Sequence, residues 1–299
     1  MTEWFRPAGT LSQDGWEVVV DQRIDEWTHT GLRVATLLEG ESCELPASDL
    51  ERVLVPITGS FVVEYSAPGG RGRQVLAGRA SVFHGPTDVL YLGAQSSAVV
   101  TGSGRIAVAE APANETFPAR YIAATEVAIE LRGAGTASRQ VHNFGTPANL
   151  AASRIIVCEV LTPAGNWSSY PPHKHDEHVE GSESQLEEIY YFEAAPSGEG
   201  ARNTAPFGLH RTSSSPAGTI EVAAEVHSGD VALVPFGWHG PCAAAPGYDL
   251  YYLNVMAGPG AERAWNITVH PAHAWIAEGW AGTPIDPRLP FTRADRIGK

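Results

Sequence analysis

Short segments rich in β-branched and aromatic residues, separated by Gly, Pro and Asp, run along almost the whole chain, and helical periodicity is rare. In the first half these segments are residues 16–20, 32–38, 61–65, 80–83 and 89–92. In the second half they are residues 153–157, 189–192, 221–226, 231–234 and 250–255. Closely spaced strands of this kind predict an all-β fold, either a sandwich or a barrel.

The second half also contains a set of potential metal ligands. His173 and His175 are one residue apart, so an extended strand places both on the same face. Glu187 and Glu188 begin the next β-type run. His239 closes the Pro- and Gly-containing turn that follows the run at residues 231–234. Three imidazoles and a carboxylate that converge from neighbouring strands suit a divalent transition metal with positions left open to water.

A weak internal repeat relates the two halves of the chain. Residues 76–83 resemble residues 227–234, and aligning the glycines of the two copies places Asp88 where the second half has His239. The first half also lacks a His-x-His sequence. We therefore expect two related barrels, over residues 1–130 and 131–299. The first is predicted to be degenerate and structural, and the second to bind metal and to end in a C-terminal tail.

Composition limits the partners and the location of the protein. The 299 residues carry a net charge of −14, which argues against nucleic acid or a membrane surface as a partner. Cys43, Cys158 and Cys242 have no disulfide-framework spacing, and Cys158 lies in an apolar run typical of a buried free thiol. Neither a signal peptide nor a membrane-spanning run is recognisable. A cytoplasmic location is the expectation.

The His-x-His sequence, the Glu that follows it and residues 229–239 together resemble the two signature motifs of the cupin superfamily. Residues 165–176, 186–192 and 247–259 further resemble the 5-deoxy-glucuronate isomerase family, which consists of two-barrel cupins (bicupins) of inositol catabolism. The likeness covers most of the chain. It implies two double-stranded β-helix (jelly-roll) barrels in one chain. It also implies the aldose–ketose isomerisation of 5-deoxy-glucuronate to 2-deoxy-5-keto-gluconate.

The resemblance implies a metal centre made of His173, His175, His239 and one glutamate. Glu187 and Glu188 should face opposite sides of their strand. Comparison with the related ketol-isomerase of pectin-derived uronates favours Glu187 as the ligand, whereas the commoner cupin register favours Glu188; we predict Glu187. Because the isomerisation is redox-neutral, zinc, manganese, iron, cobalt or nickel would serve, and zinc or manganese is favoured.

The chemistry assigns further roles. Isomerisation needs a base for the carbon-bound proton and positive charge near the developing enediolate. Glu188 is the candidate base, and Tyr191 and Tyr252 are candidate proton relays. The substrate's own carboxylate would be held by a cationic side chain, for which the candidates are Lys174, Arg154 and Arg211.

Three alternatives stay open from the sequence. The chain could be another uronate ketol-isomerase of the same superfamily, or a cupin dioxygenase that uses the same ligands with iron. It could also be a non-catalytic sugar-binding cupin, although no helix-turn-helix or basic arm accompanies the barrels. By analogy with other cupins, association into a homodimer is expected, with a small sugar acid as the ligand.

Overall fold

The computed structural model describes residues 4–198 and 205–291, which are mostly β-strand. The first-half strands are β1 (Phe5–Arg6), β2 (Val18–Val20), β3 (Gly31–Leu37), β4 (Ser42–Leu45), β5 (Leu50–Ala67), β6 (Gly70–Arg79), β7 (Val89–Leu92), β8 (Ser97–Pro112) and β9 (Arg120–Ile122). The second-half strands are β10 (Ala128–Arg132), β11 (Arg139–Gly145), β12 (Ile156–Thr162), β13 (Trp167–Ser168), β14 (His173–Lys174), β15 (Glu187–Pro196), β16 (Gly208–Ser215), β17 (Gly218–Val226), β18 (Val231–Val234), β19 (Trp238–Ala244), β20 (Tyr248–Ala257) and β21 (Thr268–Val269). The helices of these residues are short 3-10 helices, Val82–His84, Gly135–Ala137 and Pro271–Trp280, and none of them could cross a membrane.

The strands build two antiparallel barrels. An eight-stranded sheet with the order β2-β3-β8-β5-β7-β9 forms the first, with β4 paired to β8 and β6 paired to β5. The second barrel joins a seven-stranded sheet, β1-β18-β15-β20-β12-β11-β10, to a six-stranded sheet, β17-β16-β19-β14-β21, in which β13 also pairs with β19. The prediction of an all-β, two-barrel fold is confirmed.

The two barrels divide the chain at one point, except for the N-terminal strand. Strand β9 pairs with β7 in the first barrel, and β10 pairs with β11 in the second. By strand pairing the division therefore lies between Ile122 and Ala128, and the boundary predicted after residue 130 falls inside β10. In addition, β1 leaves the first barrel and pairs with β18, with Phe5 opposite Ala232. The N-terminal strand thus ties the two barrels together.

Apolar side chains fill the interior of the first barrel, including Trp16, Leu54 and Phe61. Asp88, which aligns with His239, is 2% exposed and accepts hydrogen bonds from the backbone N–H groups of Ala77 (2.8 Å) and Gly78 (2.9 Å). A carboxylate used in this way supports a turn, so this barrel offers no counterpart of the histidine in the second.

The central strands of the seven-stranded sheet, among them β12, β15 and β20, are buried on both faces. The inner face of the sheet belongs to the core of the second barrel, which contains Tyr190 and Tyr252. Its outer face, with Tyr191 and Tyr251, packs against residues of the first barrel such as Val55. A strand buried on both faces does not alternate between polar and apolar residues, so its sequence does not show which side chains face the site.

Buried carboxylates connect the barrels across this contact. Glu51, on β5, accepts hydrogen bonds from the backbone N–H groups of residues 153, 154 and 155 at 2.8, 2.6 and 2.7 Å. Arg79, on β6, forms a fully buried ion pair with Glu159 on β12, with one Nη–Oε distance of 3.1 Å. Both groups are paired and hydrogen-bonded, as buried charges must be.

Candidate metal centre

The alternation of side chains along β15 decides which residues face the second barrel's interior. Glu188, Tyr190 and Phe192 point inward, where Tyr190 and Phe192 stack with their rings 6.0 Å apart. Glu187 and Tyr191 point outward, toward the first barrel. Side chains alternate between the two faces of a strand, so the face that one residue occupies determines the face of every other residue in β15.

The prediction that Glu187 faces the histidines is therefore wrong. Its carboxylate accepts hydrogen bonds from the backbone N–H groups of Thr28 (3.0 Å), His29 (2.7 Å) and Thr30 (3.3 Å) in the first barrel. Tyr191 is likewise turned away from the site, and its hydroxyl donates to Glu193 at 2.7 Å. Both residues belong to the contact between the barrels.

Glu188 lies among the histidines instead. Its Oε2 atom is 3.0 Å from Nε2 of His175 and 3.2 Å from Nε2 of His239. One ligand atom from each of these three buried residues lies within 4.8 Å of the others. His173 is the cross-strand partner of His239, and their rings are 4.5 Å apart.

Backbone carbonyls orient all three imidazoles. The Nδ1 atoms of His173, His175 and His239 lie 3.2, 3.1 and 3.0 Å from the carbonyl oxygens of residues 171, 186 and 237. An Nδ1–H that donates to a carbonyl leaves Nε2 with a free lone pair, which is the tautomer that binds a metal. In the described part of the chain, Nε2 of His239 is buried and makes no hydrogen bond, because its 3.2 Å contact with Oε2 of Glu188 lacks hydrogen-bond geometry. A cation among these nitrogens would satisfy it.

The charges of the cluster favour the ligand forms of Glu188 and His173, whereas at His175 burial is outweighed by the hydrogen bond and charge of Glu188, which raise the pKa. Burial raises the pKa of Glu188, but the hydrogen bond with His175 and the interactions with the charges of His175 and His239 outweigh it, so the pKa falls well below its ordinary value. Burial lowers the pKa of His173 far below its ordinary value, and the neighbouring histidines add to the effect. An ionised carboxylate beside a neutral imidazole is the donor set that a divalent transition metal needs.

A cavity of about 450 Å³ opens onto this cluster. His173, Glu188 and Tyr190 form part of its wall, and Tyr252 lies beside them with its ring 5.1 Å from that of Tyr190. The C-terminal 3-10 helix, which ends at Trp280, covers another side. Tyr252 therefore lies where a proton relay was predicted, whereas Tyr190, which was not predicted, occupies the place expected for Tyr191.

A strained turn holds Tyr190. Its hydroxyl lies 2.9 Å from Oγ of Ser169, a residue with φ of +48°. The backbone at Ser169 packs on Gly240, where an added Cβ would lie 1.8 Å from the Ser169 carbonyl oxygen. Because Gly240 directly follows His239, one close backbone contact positions both the tyrosine and the histidine.

The three residues predicted to bind the substrate carboxylate do not line this cavity. Lys174 is buried and contacts carboxylates of Asp176 (2.7 Å), Glu177 (2.6 Å) and Glu183 (2.8 Å). Those acids could otherwise form a second cation site, but the Lys174 ammonium occupies their centre.

The two predicted arginines are also elsewhere. Arg154 donates to the Gly258 carbonyl at 2.8 Å and lines a different cavity. Arg211 is largely exposed, and its nearest acid, Glu221, is 3.9 Å away. The predictions for Lys174, Arg154 and Arg211 are therefore wrong about position. The arginines that do line the cavity are Arg132 and Arg139. They precede the His-x-His motif by more than thirty residues, so proximity to the motif could not identify them.

The fold and the histidine–glutamate cluster define a two-barrel cupin protein. The chain belongs to the KduI/IolB family, whose family model matches residues 4–276. It is 38% identical to a 5-deoxy-glucuronate isomerase of Geobacillus kaustophilus over 93% of this chain and 96% of that protein. The crystal structure of an IolB-like protein from Salmonella typhimurium covers 91% of this chain and 98% of its own, with 34% identity and a TM-score of 0.80. The Lactobacillus farciminis oxalate decarboxylase, at 11% identity and a TM-score of 0.63, covers 99% of this chain and 96% of its own and shares the fold.

Proposed function

We propose that this protein is a metal-dependent isomerase that converts 5-deoxy-glucuronate to 2-deoxy-5-keto-gluconate. The observation that carries the proposal is the cluster of Glu188 with three imidazoles whose Nδ1 atoms all face carbonyl oxygens. Two members of the cluster, Glu188 and His173, lie in the wall of one cavity. Relatives named 5-deoxy-glucuronate isomerase, which match along 93% of this chain, support the choice of substrate over other uronates.

We propose His173, His175, His239 and Glu188 as the ligands. A divalent ion bound there would supply Lewis-acid stabilisation of the oxygens at the reacting carbons. Zinc and manganese are the favoured ions because the reaction transfers no net electrons. Glu188 is assigned to the metal and not to the role of free base, since its carboxylate is committed to His175 and His239.

The chain's own hydroxyl groups complete the site. The reaction moves a proton from the hydroxyl-bearing carbon C2 to the aldehyde carbon C1, and another proton between the two oxygens. Tyr252 and Tyr190 line the cavity beside Glu188. Burial raises the pKa of Tyr252 well above its ordinary value, so its phenol stays protonated and can donate a hydrogen bond to the developing oxygen charge.

The test is proton NMR of 5-deoxy-glucuronate incubated in D₂O with the metal-loaded protein and with protein stripped by a chelator. We expect the 5-keto product, carrying deuterium from solvent, with the loaded protein alone. Absence of product with fully loaded protein would reject the proposed reaction and direct the search to other uronates. Equal turnover by metal-free protein would reject the metal's role.

A cytoplasmic location and a homodimer stay predictions.

A further inference from the structure

Two arginines project into the same cavity from neighbouring strands. Arg132 on β10 and Arg139 on β11 are direct cross-strand partners, and both side chains line the cavity with Glu188. Strands β12 and β20 separate β11 from β15 in the sheet. The cavity therefore has a cationic part of its wall that is distinct from the histidine–glutamate cluster.

The Arg139 guanidinium has no ion-pair partner among the described residues. Arg132 pairs with Glu130 at 2.8 Å. Arg139 donates to the Ala137 carbonyl at 3.2 Å, and no carboxylate within residues 4–198 and 205–291 forms an ion pair with it. By contrast, buried Arg79 is paired with Glu159. A guanidinium stays charged in proteins and has five N–H donors, so Arg139 presents unused donors to the cavity.

Burial makes that unpaired charge costly. It lowers the pKa of Arg139, and the neighbouring positive charge of Arg132 adds to the effect, while Tyr252 and Glu130 offset only part of it. Two adjacent cations in one partly buried wall repel each other, and an anion bound between them would relieve both effects.

Aromatic rings hold both guanidinium groups in place. Arg139 lies 5.8 Å from the ring of Trp280, and Arg132 lies 5.4 Å from the ring of Trp265. Both tryptophans line the cavity. Stacked guanidinium groups lose little side-chain freedom on binding, so the pair is preorganised for a planar anion.

We propose that Arg139, assisted by Arg132, binds the carboxylate of a sugar-acid substrate. The inference rests on the proposed function. In 5-deoxy-glucuronate the carboxylate, C6, lies at the opposite end of the molecule from the reacting carbons C1 and C2. Binding it at the arginines leaves the other end of the sugar to the metal cluster, with Tyr252 in the wall between them. Arg139 is thus a positioning and specificity residue, and it takes the role predicted for Arg154, Arg211 or Lys174.

The test compares the wild type with Arg139→Met, Arg139→Lys and the exposed control Arg211→Met, all metal-loaded. Substrates are 5-deoxy-glucuronate and its neutral primary amide. For the wild type we expect kcat/KM to be roughly 10- to 100-fold higher for the acid. Arg139→Met should lose that preference, Arg139→Lys should keep part of it, and the Arg211 variant should behave as wild type.

The acid-to-amide ratio separates recognition from folding, because a merely structural defect lowers both activities together. An unchanged ratio in Arg139→Met would overturn the inference while the isomerase function stands.

If the wild type does not isomerise the acid, calorimetry with D-gluconate and neutral D-glucitol replaces the kinetics. Arg139-dependent preference for gluconate would then support the carboxylate site although the proposed reaction had failed, and no preference would overturn it. If Arg139→Met does not fold, Arg139→Lys and the wild-type preference carry the test, and a wild type without preference overturns the inference.

Discussion

Glu187 and Glu188 are adjacent in one strand and serve opposite sides of it: Glu188 lies 3.0 Å from His175 inside the second barrel, and Glu187 lies 2.7 Å from the backbone nitrogen of His29 in the first. Two chemically identical side chains therefore have separate functions. One belongs to the proposed metal centre, and the other stabilises the contact between the barrels.

Replacing each glutamate by glutamine should separate these functions. Glu188→Gln should lower kcat/KM by roughly 100-fold or more and weaken metal binding, because it removes the anionic ligand. Glu187→Gln should retain the metal and cost about 1–3 kcal/mol of unfolding free energy, because a neutral acceptor replaces a charged one. Metal content by mass spectrometry and denaturant unfolding measure the two effects. The opposite pattern would show that Glu187 is the ligand.

Removing the histidines should abolish metal binding without unfolding the protein. His173→Ala and His239→Ala are expected to lose bound metal and activity while their far-ultraviolet circular dichroism matches the wild type, since the barrel core is apolar. His227→Ala is the control, because His227 is partly exposed and pairs with Glu225. Full activity in metal-free His239→Ala protein would contradict the proposed chemistry.

Lys174 should matter for stability and not for substrate affinity. Its ammonium contacts three carboxylates, two of them buried, so Lys174→Met leaves uncompensated negative charge. We expect a loss of about 3 kcal/mol in unfolding free energy with the KM of the remaining folded enzyme close to wild type. Arg73→Met, on the exposed surface of the first barrel, is the control. A raised KM without a change in stability would restore Lys174 as a substrate contact.

The ion pair between the barrels should make stability depend on acid pH. Burial raises the pKa of Glu159, but the Arg79 charge and the hydrogen bond from His142 lower it overall, from 4.5 to about 2. A depressed pKa stabilises the folded state above pH 4.5, and that contribution disappears as pH falls toward 2. Between pH 6 and pH 3 this residue should account for about 2 kcal/mol of lost stability.

Urea unfolding of the wild type and of Glu159→Gln at both pH values tests this. The variant is less stable at pH 6, because Arg79 loses its partner, but its stability should fall less between pH 6 and pH 3. An equal loss of unfolding free energy in the two proteins between pH 6 and pH 3 would show that Glu159 is not responsible for the acid sensitivity.

The sequence was enough to predict the all-β class, the two barrels and the approach of three histidines to one another. Residues 80–83, predicted as a strand, instead contain the 3-10 helix Val82–His84. The His-x-His spacing puts two imidazoles on one face of any extended segment, and Gly and Pro at short intervals allow strands but not long helices. The filled first barrel also agrees with the absence of a His-x-His sequence from the first half.

What only the tertiary structure decided is which face of β15 looks into the site and which arginines reach it. The second barrel covers one face of that strand and the first barrel covers the other, so both Glu187 and Glu188, and both Tyr190 and Tyr191, lie in buried surroundings. With no polar–apolar alternation to mark the inner face, the sequence leaves two registers open, and the contact between the barrels selects one. Arg132 and Arg139 enter the cavity because β10 and β11 extend the same sheet, a neighbourhood created by strand pairing and not by distance along the chain.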